Sequence, residues 1–191
     1  ATAKRLGAVV SATDVRTATK EQVESLGGKF IMVEEDIGDA ETEGGYAKEM
    51  SEDYKKKQAK LIAETIAKQD IVICTALIPG KTAPTLISQD MVESMASGSV
   101  VVDLAVEAGG NCPLSELGKV IDHKGVKILG YANVPGRVAK DASALYAKNI
   151  FNFLSLLIDK DNKKINFDFE DEIVNSVVLT HQGEIRLELF K

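Results

Sequence analysis

Asp14 ends the apolar run Ala8-Val-Val-Ser-Ala-Thr13, so a carboxylate stands at the tip of a candidate strand. In a dinucleotide-binding fold an acid there accepts hydrogen bonds from both hydroxyls of an adenosine ribose, and its charge repels a 2′-phosphate. That chemistry is cofactor binding, with NAD favoured over NADP. An aspartate that caps the following turn fits the position equally well. Arg16 bears on the choice, because a nearby cation can accommodate a 2′-phosphate. Beside Asp14 that is the weaker reading.

Two further groups of residues could take part. Thr75-Ala76-Leu77 and Pro79-Gly80 close another apolar run, where small residues let a flat ring or a sugar approach the backbone. A plain strand-to-loop turn would look the same. Glu107 and Asn111 flank Gly109-Gly110 after the next run; a carboxylate there can serve as a base, although a solvated loop glutamate is the ordinary case. His123 and His181 stand beside turns without a Cys/His/Asp cluster, which predicts surface histidines and no metal site. No Ser/His/Asp arrangement and no catalytic dyad is evident. Cys74 in a buried run and Cys112 in a loop are expected to be reduced thiols rather than a disulfide.

The elements that must position these residues are legible. Asp70-Ile-Val-Ile-Cys-Thr-Ala76 and Ser99-Val-Val-Val-Asp-Leu-Ala105 are apolar without alternation, which predicts parallel strands buried on both faces. Their loops, 77–84 and 106–111, fall beyond carboxyl ends of strands, where ligands bind in such sheets. Residues 1–6 read as the last turns of a helix stopped by Gly7. A parallel crossover needs a dozen or more residues, so the chain is expected to begin inside a βαβ unit whose first strand and glycine turn precede Ala1.

A helix over 19–26 and a strand over 29–33 should follow. Residues 34–53 hold nine acids against the single base Lys48, with Gly38, Gly44 and Gly45. So charged a stretch cannot supply core and is expected to be a long exposed loop. The spacing predicts a helix over 55–68 with Ala59, Ile62, Ala63 and Ile66 on one face, a short helix from an N-cap at Ser88 to Met95, and a strand over 127–130. A long amphipathic helix should run from Arg137 to Ile158, its stripe formed by Val138, Ala142, Leu145, Tyr146, Ile150, Phe153, Leu154 and Leu157. Beyond it Ile165, Phe167, Phe169, Ile185, Leu187 and Leu189 alternate, with His181-Gln-Gly-Glu184 as a turn between strands. Half-buried strands of that kind belong to a second domain.

The fold class expected is therefore α/β. A Rossmann-like doubly wound parallel sheet, incomplete at its N-terminus, occupies residues 1–136. Residues 137–191 supply a bridging helix and the C-terminal segment of another α/β domain. The net charge of −6 argues against nonspecific nucleic-acid binding, which needs a cationic face. No apolar run reaches the ~20 residues of a membrane-spanning helix.

Ala12-Thr-Asp-Val-Arg16, Glu43-Gly-Gly-Tyr-Ala-Lys-Glu-Met50, Thr75-Ala-Leu-Ile-Pro-Gly-Lys81, Asp103-Leu-Ala-Val-Glu-Ala-Gly-Gly-Asn-Cys-Pro113 and Asn133-Val-Pro-Gly-Arg137 closely resemble the NAD(H)-binding component of proton-translocating NAD(P) transhydrogenases. The resemblance implies two Rossmann-like domains, the first discontinuous, with the final segment returning into it. It implies that Asp14, Val15 and Arg16 hold the adenosine half of NAD(H), and that Gly45 and Tyr46 sit on a loop that closes over the nucleotide. Gln58 would lie near the site, at the start of the next helix, and Thr75, Ala76 and Leu77 would line it. The implied reaction is direct hydride transfer from NADH to NADP(H) on a partner component, which needs no protein acid or base on either ring. Implied partners are the NADP(H)-binding and membrane components and a second copy of the chain, at the cytoplasmic or mitochondrial-matrix face of a membrane. Alanine dehydrogenase, with an NAD domain of similar outline, is the rival enzyme. A non-catalytic remnant that packs on a partner through the stripe from Val138 to Leu157 is the third reading.

Overall fold

The computed structural model describes residues 1–16, 18–33, 51–78 and 80–187. The chain divides into two compact units, Ala1–Ala132 and Asn133–Lys191. In the first unit, helix α1 (Thr2–Arg5) leads to strand β1 (Ser11–Ala12), helix α2 (Ala18–Ser25) and strand β2 (Lys29–Phe30). β1 and β2 pair in parallel, flanked by bonds from Lys29 N to Val10 O and from Ile31 N to Ala12 O. Both strands are shorter than the apolar runs that announce them. Val9 is 96% exposed, so the start of its run has no sheet to join among the described residues.

Helix α3 (Glu52–Ile66) begins three residues earlier than its apolar spacing predicts. Ser51 is the reason. Its side chain accepts a hydrogen bond from Tyr54 N, and Glu52 and Asp53 fall in the first turn, where the helix dipole favours acids. Those two acids thus belong to the helix and not to the expected loop; residues 34–50, Gly45 and Tyr46 among them, lie outside the described residues. The buried stripe of α3 also differs from the expected one. It runs Tyr54, Gln58, Ile66, with Ile62 partly buried, while Ala59 is exposed.

Strand β3 (Ile71–Cys74), helix α4 (Gln89–Glu93), strand β4 (Val100–Asp103), a 3-10 turn (Val106–Ala108), and strands β5 (Val120–His123) and β6 (Val126–Leu129) complete the unit. The sheet order is β3-β4-β6-β5, parallel except for the β5/β6 hairpin. Register aligns Val72, Val101, Ile128 and Ile121 in one cross-strand row. This row packs with Ile62 and Ile66 of α3, with Met91 and Val92 of α4, and with Ile87 and Met95. The opposite row, Ile73, Val102, Leu129 and Val120, is as apolar but less covered, with Val102 and Leu129 half-buried and the outer Ile73 and Val120 exposed. Ile71 and Ile73 are 63% and 62% exposed, so β3 is not covered on both faces as its composition suggests. An unbroken apolar run reports the side chains, not whether a second layer is present to cover them.

The second unit opens with α5 (Val134–Arg137) and α6 (Ala139–Leu156) in place of one long helix. Val138, at φ −123° and ψ 43°, separates them. The expected stripe is present but not packed: Leu145 and Tyr146 are 69% and 68% exposed, and Leu157, beyond the last helical turn, is buried. Hairpin β7 (Ile158–Asp159)/β8 (Lys164–Ile165), helix α7 (Glu172–Val177) and hairpin β9 (Thr180–His181)/β10 (Glu184–Ile185) follow. The turn between His181 and Glu184 is where alternation places it, whereas Phe167 and Phe169 are not in a strand. Leu189 lies outside the described residues. His181 is half-buried rather than a surface residue, with ring centres 5.0 Å from Phe167 and 5.1 Å from Phe169. Arg186 stacks on Phe169 at 3.6 Å.

Both cysteines are free and buried, Cys112 included, although it lies in a loop. Burial, then the Asp103 carboxylate and the Cys112 thiol, push the Cys74 thiol up to about 12. A pKa raised on folding contributes stability that is complete below the unfolded value and is lost as pH climbs above it. The urea midpoint should therefore fall between pH 8 and pH 10, and Cys74→Val, with no thiol to ionise, should lose less over that interval. Equal losses in the two proteins would contradict this account.

Candidate functional site

Two groups of residues gather at carboxyl ends of parallel strands in the first unit. The first surrounds Asp14, two residues beyond the end of β1. Its Oδ1 accepts hydrogen bonds from Arg16 N at 2.9 Å and Arg16 Nε at 3.0 Å, and its Oδ2 accepts from Arg16 Nη2 at 2.8 Å. The backbone bond is an Asx turn, so the capping role and the binding role considered for Asp14 are compatible. Burial raises the carboxyl pKa, but the side-chain and backbone bonds from Arg16 outweigh it and hold Asp14 below the usual carboxylate range. Asp14 is thus ionised at neutral pH while about a third of its side chain meets solvent. Val15 and Arg16 are half-buried beside it.

Gln58 closes this group from α3. Its Nε2 donates to Thr13 Oγ1 at 2.8 Å, and its Oε1 accepts from Val33 N at 3.4 Å. The residue is 9% exposed and lies in the second turn of the helix. It joins the ends of β1 and β2 to α3, adjacent to Asp14.

The second group lies beyond β3 and β4 and is organised by residues whose role the sequence does not disclose. Asp103 is fully buried. Its Oδ1 accepts from Ala105 N at 3.0 Å; its Oδ2 accepts from Asn111 N at 2.8 Å, Cys112 N at 3.1 Å and Ser115 Oγ at 2.7 Å. These donors wrap the loop after β4 around the carboxylate. Gly109 and Gly110, at φ +101° and +85°, make the wrap possible, and a Cβ on Gly110 would meet Asp103 Oδ2 at 2.8 Å. The wrap sets Asn111 against the loop after β3. The Asn111 side chain accepts from Ala76 N at 3.1 Å and donates to Ala76 O at 3.0 Å and Pro84 O at 2.7 Å. Both backbone groups of Ala76 are satisfied as if by a neighbouring strand.

Thr75 and Leu77 are thereby presented to solvent on either side of half-buried Ala76. Pro79 lies outside the described residues. Glu107 is exposed on the 3-10 turn, while Asn111 is wholly buried and spent on backbone. His123, expected at the surface, is half-buried, with Nε2 2.8 Å from Glu93 Oε1. Bonds from Lys124, Gln89 and His123 pull the Glu93 carboxyl down to about 2. The strand that carries His123 escapes sequence reasoning because β5 is only four residues long and its second half, Asp122-His123, is polar. Among the described residues no group of three or more His, Cys, Asp or Glu could hold a metal ion, and no helix is long and apolar enough to cross a membrane.

Strand order and parallel pairing define a protein of the α/β class, with its loops of interest at the carboxyl ends of the strands. The family model described as Alanine dehydrogenase/PNT, C-terminal domain matches residues 1–188, and the chain belongs to that family. It is similar to an NAD(P) transhydrogenase alpha subunit of Rhodospirillum rubrum, with 61% identity over 186 residues, covering 97% of this chain and 48% of that protein. It is also similar to the crystal structure of transhydrogenase from Sinorhizobium meliloti, with TM-score 0.76 and 53% identity, covering 96% of this chain and 47% of that one. Alanine dehydrogenase 1 of Staphylococcus aureus is more distant, 31% identical over 134 residues, covering 68% of this chain and 36% of that protein. The chain spans about half the length of the transhydrogenase relatives it matches.

The Asn111 clamp makes a direct prediction. Asn111→Ala leaves three partly buried backbone groups, two of Ala76 and one of Pro84, without their partner, each toward the lower end of about 1–3 kcal/mol. The loss of stability in urea denaturation should exceed about 2 kcal/mol, and Asn111→Asp, of nearly the same shape, should be no milder because it removes both donors. A near-neutral Asn111→Asp would show that the clamp does not hold the loop.

Proposed function

We propose that this chain is the NAD(H)-binding portion of a proton-translocating NAD(P) transhydrogenase. The observation that carries the proposal is Asp14, an ionised and partly exposed carboxylate at the carboxyl end of a parallel strand. Its oxygens are acceptors only, which suits the two donor hydroxyls of an adenosine ribose, and its charge opposes a 2′-phosphate. Val15 and Arg16 flank the adenosine half, and Gln58 keeps the strand end in place through Thr13. Thr75, Ala76 and Leu77, on the loop that the Asn111 clamp sets, belong to the same proposed site. Gly45 and Tyr46 enter only through the family resemblance.

When bound, NADH supplies a hydride to NADP on a partner component. Such a transfer asks the protein to orient and to exclude water rather than to move a proton, which accords with a site built from backbone clamps and one ribose acid. Coupling to proton movement belongs to membrane components that this chain would meet as a peripheral partner, as a homodimer, at the cytoplasmic or matrix face. The division at residues 136 and 137 into an NAD domain and a returning segment belongs to the same proposal. The greater similarity to transhydrogenases than to alanine dehydrogenase supports this choice of enzyme.

Two measurements on the full-length polypeptide test it. Asp14→Asn should weaken NADH binding, followed by nicotinamide fluorescence, by about 1–3 kcal/mol through loss of charge-assisted hydrogen bonds; unchanged affinity removes Asp14 from the site. Reconstituted with its partner components, the protein should reduce an NADP analogue with NADH. Ammonia-dependent reduction of pyruvate in its place would assign the alanine dehydrogenase reaction.

A further inference from the structure

Asn111 spends every polar atom it has. Its N–H donates to Asp103 Oδ2 at 2.8 Å, and its carbonyl accepts from Leu86 N at 2.9 Å and Ile87 N at 3.1 Å. Its side-chain amide holds both backbone groups of Ala76 and the carbonyl of Pro84. One wholly buried residue thus fastens both ends of the loop after β3 to the loop after β4. A bond from Ala83 N to Ala108 O, at 2.8 Å, ties the same two loops again. Between these fixed points Leu77 and Ile78 are 53% and 45% exposed. Aliphatic side chains turned to solvent on so firmly held a backbone suit a flat apolar ring laid against them.

We propose that Asn111 is a positioning residue for hydride transfer. The inference rests on the reading above, in which Asp14 takes the adenosine end of NADH and the loop after β3 belongs to the same site. Of the two residue groups at carboxyl ends of strands, the one held by Asn111 is then left for the reacting ring. In the transfer a hydride leaves C4 of NADH with its electron pair and joins C4 of NADP on the partner component; the first ring is oxidised and the second reduced. No proton passes to or from the protein, so the rate turns on the distance and angle between the rings. Asn111, wholly buried, does not meet the ring. It acts through Ala76, whose fixed backbone sets Leu77 and Ile78 as the surface on which the ring rests. Releasing the clamp therefore reaches the transfer step more than the affinity, since the adenosine end is held at Asp14.

The test compares the wild type, Asn111→Ala and Val126→Ala in the full-length protein, reconstituted with its partner components. Val126 is buried in the core at the amino end of β6, at the opposite end of the sheet from both loops, and its variant controls for lost stability alone. NADH affinity is read from nicotinamide fluorescence. Transfer is read from a single turnover with an NADP analogue and identified by its slowing with NADH deuterated at C4. Asn111→Ala should slow transfer about tenfold or more, with a much smaller fall in NADH affinity. Val126→Ala should leave both near the wild type. If Asn111→Ala slows transfer no more than Val126→Ala does, or if affinity falls as far as the rate, the positioning role is overturned and the proposed cofactor site stands. A wild type that transfers no hydride to the analogue overturns the proposed function, and this inference with it. Should Asn111→Ala fail to fold, Ile78→Ala, at an exposed side chain, is measured in its place. It should slow transfer more than it weakens NADH binding, and a wild-type rate overturns the proposal.

Discussion

A carboxylate buried without a cation is among the costlier things a fold can contain, and Asp103 has none among the described residues. What makes it tolerable is geometric. Three backbone N–H groups and one hydroxyl converge on its two oxygens, and all four come from the twelve residues that follow it. The charge therefore dictates the path of its own loop. Once that path is set, Asn111 has a single place to go, and Ala76 acquires from a side chain the pairing that a further strand residue would have given it. The ends of β3 and β4 are locked to each other without lengthening the sheet. An apolar residue at 103 would release the loop, since nothing else on the strand attracts those donors.

Asp14 shows the complementary use of the same functional group. It too ends a parallel strand and accepts from a backbone N–H two residues on. The difference is that its remaining partner is a long, partly exposed side chain, whereas three of the four donors to Asp103 are backbone N–H groups. Burial and the type of donor separate a carboxylate that builds a loop from one with an oxygen face open to solvent. Residue type is the same in the two, and both stand at or just beyond the carboxyl end of a parallel strand.

This is why the sequence draws attention to one and not the other. Asp14 stands out because it breaks an apolar run at a place where chemistry has a known use for an acid. Asp103 and Asn111 lie inside a run and a loop that read as sheet and turn, and their value comes from partners up to 35 residues away. Strands β3, β4 and β6 were legible from their β-branched composition, as was the hairpin at Gln182-Gly183 from its turn residues. The open face of β3 was not, because exposure depends on what covers a surface. The start of α3 could have been read from Ser51 followed by two acids, a cap signal that the acidity of the preceding stretch obscured.

Gln58 marks the point at which these local rules combine. It occupies the middle of an otherwise apolar stripe between Tyr54 and Ile66, where a methylene side chain would pack at no cost in hydrogen bonds. A buried amide left unpaired there would forfeit about 1–3 kcal/mol. Each end of this one is instead used, on Thr13 Oγ1 beside Asp14 and on Val33 N at the end of the β2 segment. Neither partner could be satisfied by a leucine, and the two-residue strands β1 and β2 have few ladder bonds of their own to hold them in register. The helix therefore contributes to the candidate site through one polar residue rather than through its apolar face. Short strands that lead into an acid such as Asp14 need such a tie more than long ones do, because their pairing alone does not fix where the acid points.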